Sequence, residues 1–222
     1  MTGQNDDSDK AAITFYFDFS SPYAYLAVDS VLTLAARHGR AVDWRPILLG
    51  VVFRATGAQP LADLPLKGDY LRHDCPRFAR MLGLPFVLPE PFPFATVAAA
   101  RAVYWAESTA PGAEKAVVRG LLHEIFGRGQ ALIDKEAVAK AVAALEVPGL
   151  PDGSDEILDG MESRPIKDRL KTETDSAIAV GVFGSPFIVA DGEAFWGADR
   201  LDHVDWWLSG GEPGEALQGR VR

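Results

Sequence analysis

The sequence predicts an α/β protein, a thioredoxin-like fold interrupted by a large helical insertion. Three observations predict it. A strand, an amphipathic helix and a second strand follow one another over residues 13–48. A helix, two strands joined through Asp191-Gly192 and a closing helix occupy residues 171–208. Between them, residues 49–170 carry helical periodicity and no clear strand. The order β-α-β, inserted helices, α-β-β-α is a thioredoxin-like domain divided by a helical domain. Residues 1–12 and 209–222, polar and poor in apolar pattern, are expected to be flexible tails.

ITFYFDF at 13–19 is aromatic and β-branched and ends at polar residues, so it reads as a buried first strand. SPYAYLAVDSVLTLAARHG follows, with Ser21 as N-cap, Pro22 at the first helical position, apolar residues at helical spacing and Gly39 past the end. AVDWRPI at 41–47 reads as a second, parallel strand. FATVAAARAVYWAES, EKAVVRGLLHEIFGRG and DKEAVAKAVAALEV each show apolar residues three to four apart and predict the insertion helices. PEPFPF, ahead of them, is too rich in proline for regular structure, and its apolar residues must pack on something, protein or ligand. After VPGLPDGSDEILDGMESRPIKDRL, KTETDSAIAVGV reads as a helix, GSPFIVAD and GEAFWG as a hairpin, and ADRLDHVDWWLSGG as the last helix, its Trp206 and Trp207 packing against the sheet domain.

The chain has 222 residues, 48% hydrophobic and 24% charged, which are values for an ordinary globular protein. A net charge of -9 without any Lys/Arg run excludes nucleic acid as a partner. MTGQNDDSDK lacks the apolar centre of a signal peptide and no apolar run could span a bilayer, so no membrane is expected and the compartment is expected to be cytoplasmic. His38, His73, His123 and His203 are scattered without ligand spacing, so no metal is expected. Cys75 is the one cysteine, which removes any disulfide within the chain, and it is read as a buried small residue without a chemical role.

In such a fold the first turn of the helix after the first strand stabilises an anion, commonly a thiolate. Here SPYA places Ser21 and Ala24 where a CxxC motif has its two cysteines, so the chain cannot exchange disulfides at this point. What remains is a hydroxyl at a helix N-terminus, suited to the thiolate of a bound thiol, although Ser21 serves equally as a plain cap. Ser185-Pro186, just before a strand opposite that terminus, is the place for a cis peptide that presents backbone polar groups to a peptide. Asp199 could receive an α-amino group or act as a first-turn helix acid, and Lys67 could meet a carboxylate or stay solvated. Asp18, inside an apolar strand, reads as a structural acid rather than a reacting group. Together these residues describe a site for a small peptide bearing a thiol, an amine and carboxylates.

FYFDFSSPYAYLA, LLGVVFRATG, PLKGDYLRHD, KTETDSAIAVGVFGSPFIV and FWGADRL resemble the 2-hydroxychromene-2-carboxylate isomerases, relatives of the kappa-class glutathione transferases in the DsbA-like superfamily. The resemblance runs from residue 13 to about 208. It implies glutathione as cofactor, Ser21 as the catalytic serine that hydrogen-bonds the glutathione sulfur, and Lys67, Ser185, Pro186 and Asp199 lining the glutathione site. It also implies a small aromatic substrate in aromatic catabolism, with a kappa-like transferase and a non-catalytic thiol-peptide binding protein as the other outcomes; a homodimer is left open. Two departures stand out, Ala58 in TGAQPL and Ala198 in WGADR, where relatives carry Asn and Ser; the loss of two polar contacts leaves open either weaker glutathione binding or a different thiol cofactor.

Overall fold

The computed structural model describes residues 11–211, so both expected tails lie almost wholly outside the described residues. β1 (Ile13–Phe17) leads into α1 (Pro22–Arg37) and β2 (Val42–Pro46), and β1 and β2 pair in parallel, with Phe15 opposite Trp44. α1 starts where the sequence says it should. Ser21 is its N-cap, Pro22 opens the helix, and Gly39 lies past its end with φ 64°, a conformation that costs glycine no Cβ clash.

The helices that follow are α2 (Leu49–Thr56), α3 (Lys67–Leu82), α4 (Val97–Thr109), α5 (Glu114–Leu122), α6 (Lys135–Ala143), α7 (Ser154–Met161) and α8 (Arg164–Ala179). β3 (Phe187–Ala190) and β4 (Glu193–Trp196) form the expected hairpin, with positive φ at both Asp191 (49°) and Gly192 (81°), and α9 (Leu201–Leu208) closes the fold. The sheet order is β2-β1-β3-β4, with β3 antiparallel to β1 and β4 antiparallel to β3. The fold is that of a thioredoxin-like domain with a helical insertion.

Two expectations need correction. The run 147–170, placed in the insertion without an element of its own, contains α7 and the first turns of α8. Accordingly the boundary expected between residues 170 and 171 falls inside one continuous helix, started by Pro165 in its first turn and carrying Ile166, Leu170, Thr174 and Ala177 on its buried stripe. Nor do the two parts have separate cores. Ile13, Phe15 and Phe17 project from one face of β1 into a cluster continuous with α3 to α7. The Tyr104 hydroxyl of α4 donates to the Pro46 carbonyl at the end of β2 (2.8 Å), and the Arg169 guanidinium of α8 lies 4.6 Å from the Tyr104 ring centre. The other face of β1 meets a smaller cluster of Ile47, Leu49, Val52, Ala177, Val182 and Phe187, which seats α2 and α8 on the sheet. The PEPFPF segment packs on protein, since the Phe92 ring meets Phe126 edge-on at 6.2 Å.

α3 begins against a short 3-10 turn, Leu61–Asp63, and Gly68 in its first turn approaches that turn so closely that any Cβ would overlap the Ala62 carbonyl oxygen. The obstacle is backbone and cannot swing aside. Gly68→Ala is expected to cost about 1–3 kcal/mol, measured by urea unfolding, despite the better helix propensity of alanine.

Candidate functional site

The junction between β1 and α1 is built from residues 18–21. Ser21 sits in extended conformation (φ -97°, ψ 109°), and its Oγ accepts the Ala24 N–H at 3.3 Å, as an N-cap does. The same hydroxyl donates to the Ser185 carbonyl at 2.9 Å. Ser21 is therefore a cap and also the contact between the helix terminus and the loop before β3. It is only 5% exposed, and Ala24 in the fourth place of SPYA is fully buried.

The Ser185-Pro186 bond is cis, as the sequence leads one to expect. Ser185 Oγ accepts the Asp18 N–H at 2.9 Å, so the two loops are joined twice, once in each direction. The Pro186 carbonyl accepts the Gly197 N–H at 3.0 Å, which brings the end of β4 beside the same loop. Two residues further on, Asp199 lies in a 3-10 turn with its carboxylate mostly exposed and, among the described residues, only its neighbour Arg200 as ion partner (3.0 Å). Before the loop, Gly184 has no room for a Cβ because the Trp196 indole lies against it, and Trp196 meets Phe183 edge-on at 4.9 Å. Both rings are largely exposed.

Ser21, Ser185 and Pro186 are thus brought together directly and Asp199 through Gly197. Lys67 is not in contact with them. It is the exposed first residue of α3 and has no ion partner among the described residues. α3 is nevertheless pinned beside Ser21, because the Tyr23 hydroxyl donates to Asp74 Oδ2 at 2.8 Å. Lys67 lies two turns before Asp74, roughly 10 Å along the helix, and on the stripe that continues through the buried Leu71. Burial, the neighbouring Cys75 and the bond to Asp74 all push the Tyr23 phenol up, so it stays protonated at neutral pH and can donate but not act as a base. Burial raises the Asp74 carboxyl, but the hydroxyls of Tyr23 and Tyr70 and the Arg77 guanidinium outweigh it and hold the group below its usual range.

Beneath the junction lies Asp18, 3% exposed. Its Oδ1 accepts the Ser20 N–H and the Thr96 hydroxyl, each at 2.7 Å, and its Oδ2 accepts the Leu49 N–H at 2.6 Å. Sequence reasoning identified Asp18 as structural but not its partners. An acid closing an apolar strand is a visible signal; donors 31 and 78 residues away are not.

The model of the DSBA-like thioredoxin domain matches residues 12–207. A 2-hydroxychromene-2-carboxylate isomerase of Pseudomonas putida is 31% identical over 191 residues, 85% of this chain and 90% of its own. The chain belongs to the DSBA-like thioredoxin family, among the 2-hydroxychromene-2-carboxylate isomerases. Glutathione S-transferase kappa 2 of Caenorhabditis elegans is 26% identical over 212 residues, 90% of this chain and 92% of its own. The solved structure of a 2-hydroxychromene-2-carboxylate isomerase superposes with a TM-score of 0.77 at 28% identity, covering 89% of this chain and 94% of that one.

For a member of this family the environments of the two departures differ. Ala58 follows the α2 terminator Gly57 in an exposed loop, where a longer polar side chain has space. Ala198 is 6% exposed and its methyl packs in the core, so a hydroxyl there would first meet protein. Cys75 is fully buried on α3, and burial pushes its thiol up to about 12, with Tyr23 lowering it and Asp74 raising it again. A thiol so placed presents almost no thiolate. An aromatic disulfide reagent at pH 8 is expected to leave the native protein unlabelled and to label one thiol per chain once it is unfolded.

Proposed function

We propose that this protein is a glutathione-dependent isomerase of the 2-hydroxychromene-2-carboxylate type. The observation that carries the proposal is the Ser21 hydroxyl, held at the N-terminus of α1 and against the Ser185 carbonyl, at a point where the chain has no thiol of its own. A bound glutathione thiolate supplies a nucleophile that adds reversibly to an unsaturated carbon and leaves again, which permits rotation about the bond between.

The residues present fit that ligand. Ser21 has a proton to give to a sulfur anion, and the positive end of the α1 dipole favours negative charge at the same place. To give it, Ser21 turns from the Ser185 carbonyl, and a peptide N–H of the ligand would take over as that carbonyl's donor. Asp199 is free on its outer side for an amine and Lys67 for a carboxylate. The exposed rings of Phe183 and Trp196, next to Ser185, offer an aromatic substrate a surface. These contacts orient a thiol peptide and a flat substrate; none of them supplies a base. The match to a kappa transferase over most of the chain supports a second reading, in which the conjugate is released as product. Product analysis separates the two, since an isomer leaves glutathione unconsumed and a conjugate does not.

Ser21→Ala is expected to lower isomerisation by about 10²-fold, the cost of losing one donor to a reacting anion. It should also abolish the ultraviolet thiolate absorbance that appears when glutathione is added. Stability should fall by only about 0.5–2 kcal/mol through loss of the cap. Parental turnover in this variant would refute the role given to Ser21. Ser21→Cys should bring no disulfide exchange within the chain, because Ala24 provides no second thiol.

A further inference from the structure

We propose that Asp18 is a positioning residue for Ser21, fixing where the serine proton can be delivered; this rests on the thiolate reading above. The carboxylate gathers donors from three helix starts. The Ser20 N–H belongs to the approach to α1, Leu49 is the first residue of α2, and Thr96 is the N-cap of α4. Neither α2 nor α4 has a side-chain cap of its own, and the Thr96 hydroxyl points to Asp18 instead of to its own helix. The main chain of the same residue completes the junction. Its carbonyl accepts the Ser21 N–H at 2.9 Å and its N–H donates to Ser185 Oγ.

Asp18 therefore touches both ends of the Ser21–Ser185 pair while being held from behind by Leu49 and Thr96. The span between the serine hydroxyl and the loop before β3 is set by this one residue. Its side chain has no part in the chemistry, because both oxygens are engaged within the protein and the residue is almost wholly buried. A buried acid could also act simply as a negative charge, and the two roles predict opposite signs. A charge near the sulfur opposes thiolate, so its removal would raise the thiolate fraction. A positioning role predicts that disturbing the carboxylate lowers it.

The test is a spectrophotometric pH titration of glutathione at saturating concentration on the parent, Asp18→Asn and Thr96→Val, with kcat and KM for glutathione measured alongside. In Asp18→Asn the amide NH2 must face either the Leu49 or the Ser20 N–H, so one donor is opposed by another. Thr96→Val keeps the charge and withdraws one donor, and it decides the matter if the asparagine variant does not fold. At neutral pH the thiolate fraction is expected to fall about tenfold in Asp18→Asn and about threefold in Thr96→Val, with kcat falling in step and KM little changed. A rise in thiolate for Asp18→Asn with no change for Thr96→Val would replace positioning by charge and overturn the proposal. Folded variants that melt earlier yet titrate as the parent would overturn it too, leaving Asp18 a purely structural acid. If the parent itself forms no thiolate with glutathione, the reading of the function fails first and this inference with it.

Discussion

A buried carboxylate must be met by donors, and the Asp18 carboxylate meets all of its donors within the protein. In an apolar interior an unsatisfied charge is too costly to keep, so the segments that supply its hydrogen bonds have to arrive together. Here they are the approach to α1, the start of α2 and the start of α4, while the main chain of Asp18 reaches the loop before β3. Two of these segments, the starts of α2 and α4, lie within the helical insertion. The acid thus links the placement of the inserted helices to the geometry of the Ser21 terminus, where the proposed function seats the bound thiol.

The continuity of the core follows the same logic. Were the insertion a separate body, its helices could drift relative to β1 and β2 without penalty. Instead Phe15 and Phe17 share a cluster with α3 to α7, Tyr104 closes on the end of β2, and α8 runs from the inserted helices to the sheet without a break. The Tyr23–Asp74 bond fixes α3 beside the helix terminus, and Lys67 is carried forward on that helix. Parts so joined keep a fixed spacing, which the proposed peptide site requires at both of its ends.

What could be seen in the sequence was local. Ser21 and Pro22 announce a helix start, Asp191-Gly192 a tight hairpin and Ser185-Pro186 the bend before β3, because each depends on one or two residues and their neighbours. α7 was hidden, since SDEILDGM is short, carries few apolar residues and lies among glycine and proline. The start of α8 was hidden because charged residues alternate with its buried stripe, and no break separates the part on the insertion from the part on the sheet. In the candidate site, the Ser21 cap was legible by its place in SPYA, whereas the partners of Asp18 and the Tyr23–Asp74 contact depend on tertiary packing between distant segments and leave no periodic trace. The exposed rings of Phe183 and Trp196 were equally silent, since an aromatic residue in a strand or its approach is ordinarily core.

The buried Cys75 and the alanine at the fourth place of SPYA have a consequence for wear. Proteins that keep a working sulfur in their own chain accumulate its oxidation, and beyond the sulfenic stage the damage is mostly permanent. This chain has no thiol to lose at the α1 terminus, and its one cysteine, Cys75, is shielded. Any sulfur that works beside Ser21 arrives with a ligand and departs with it. On the proposed function, a spoiled nucleophile is discarded by simple dissociation and replaced from solution.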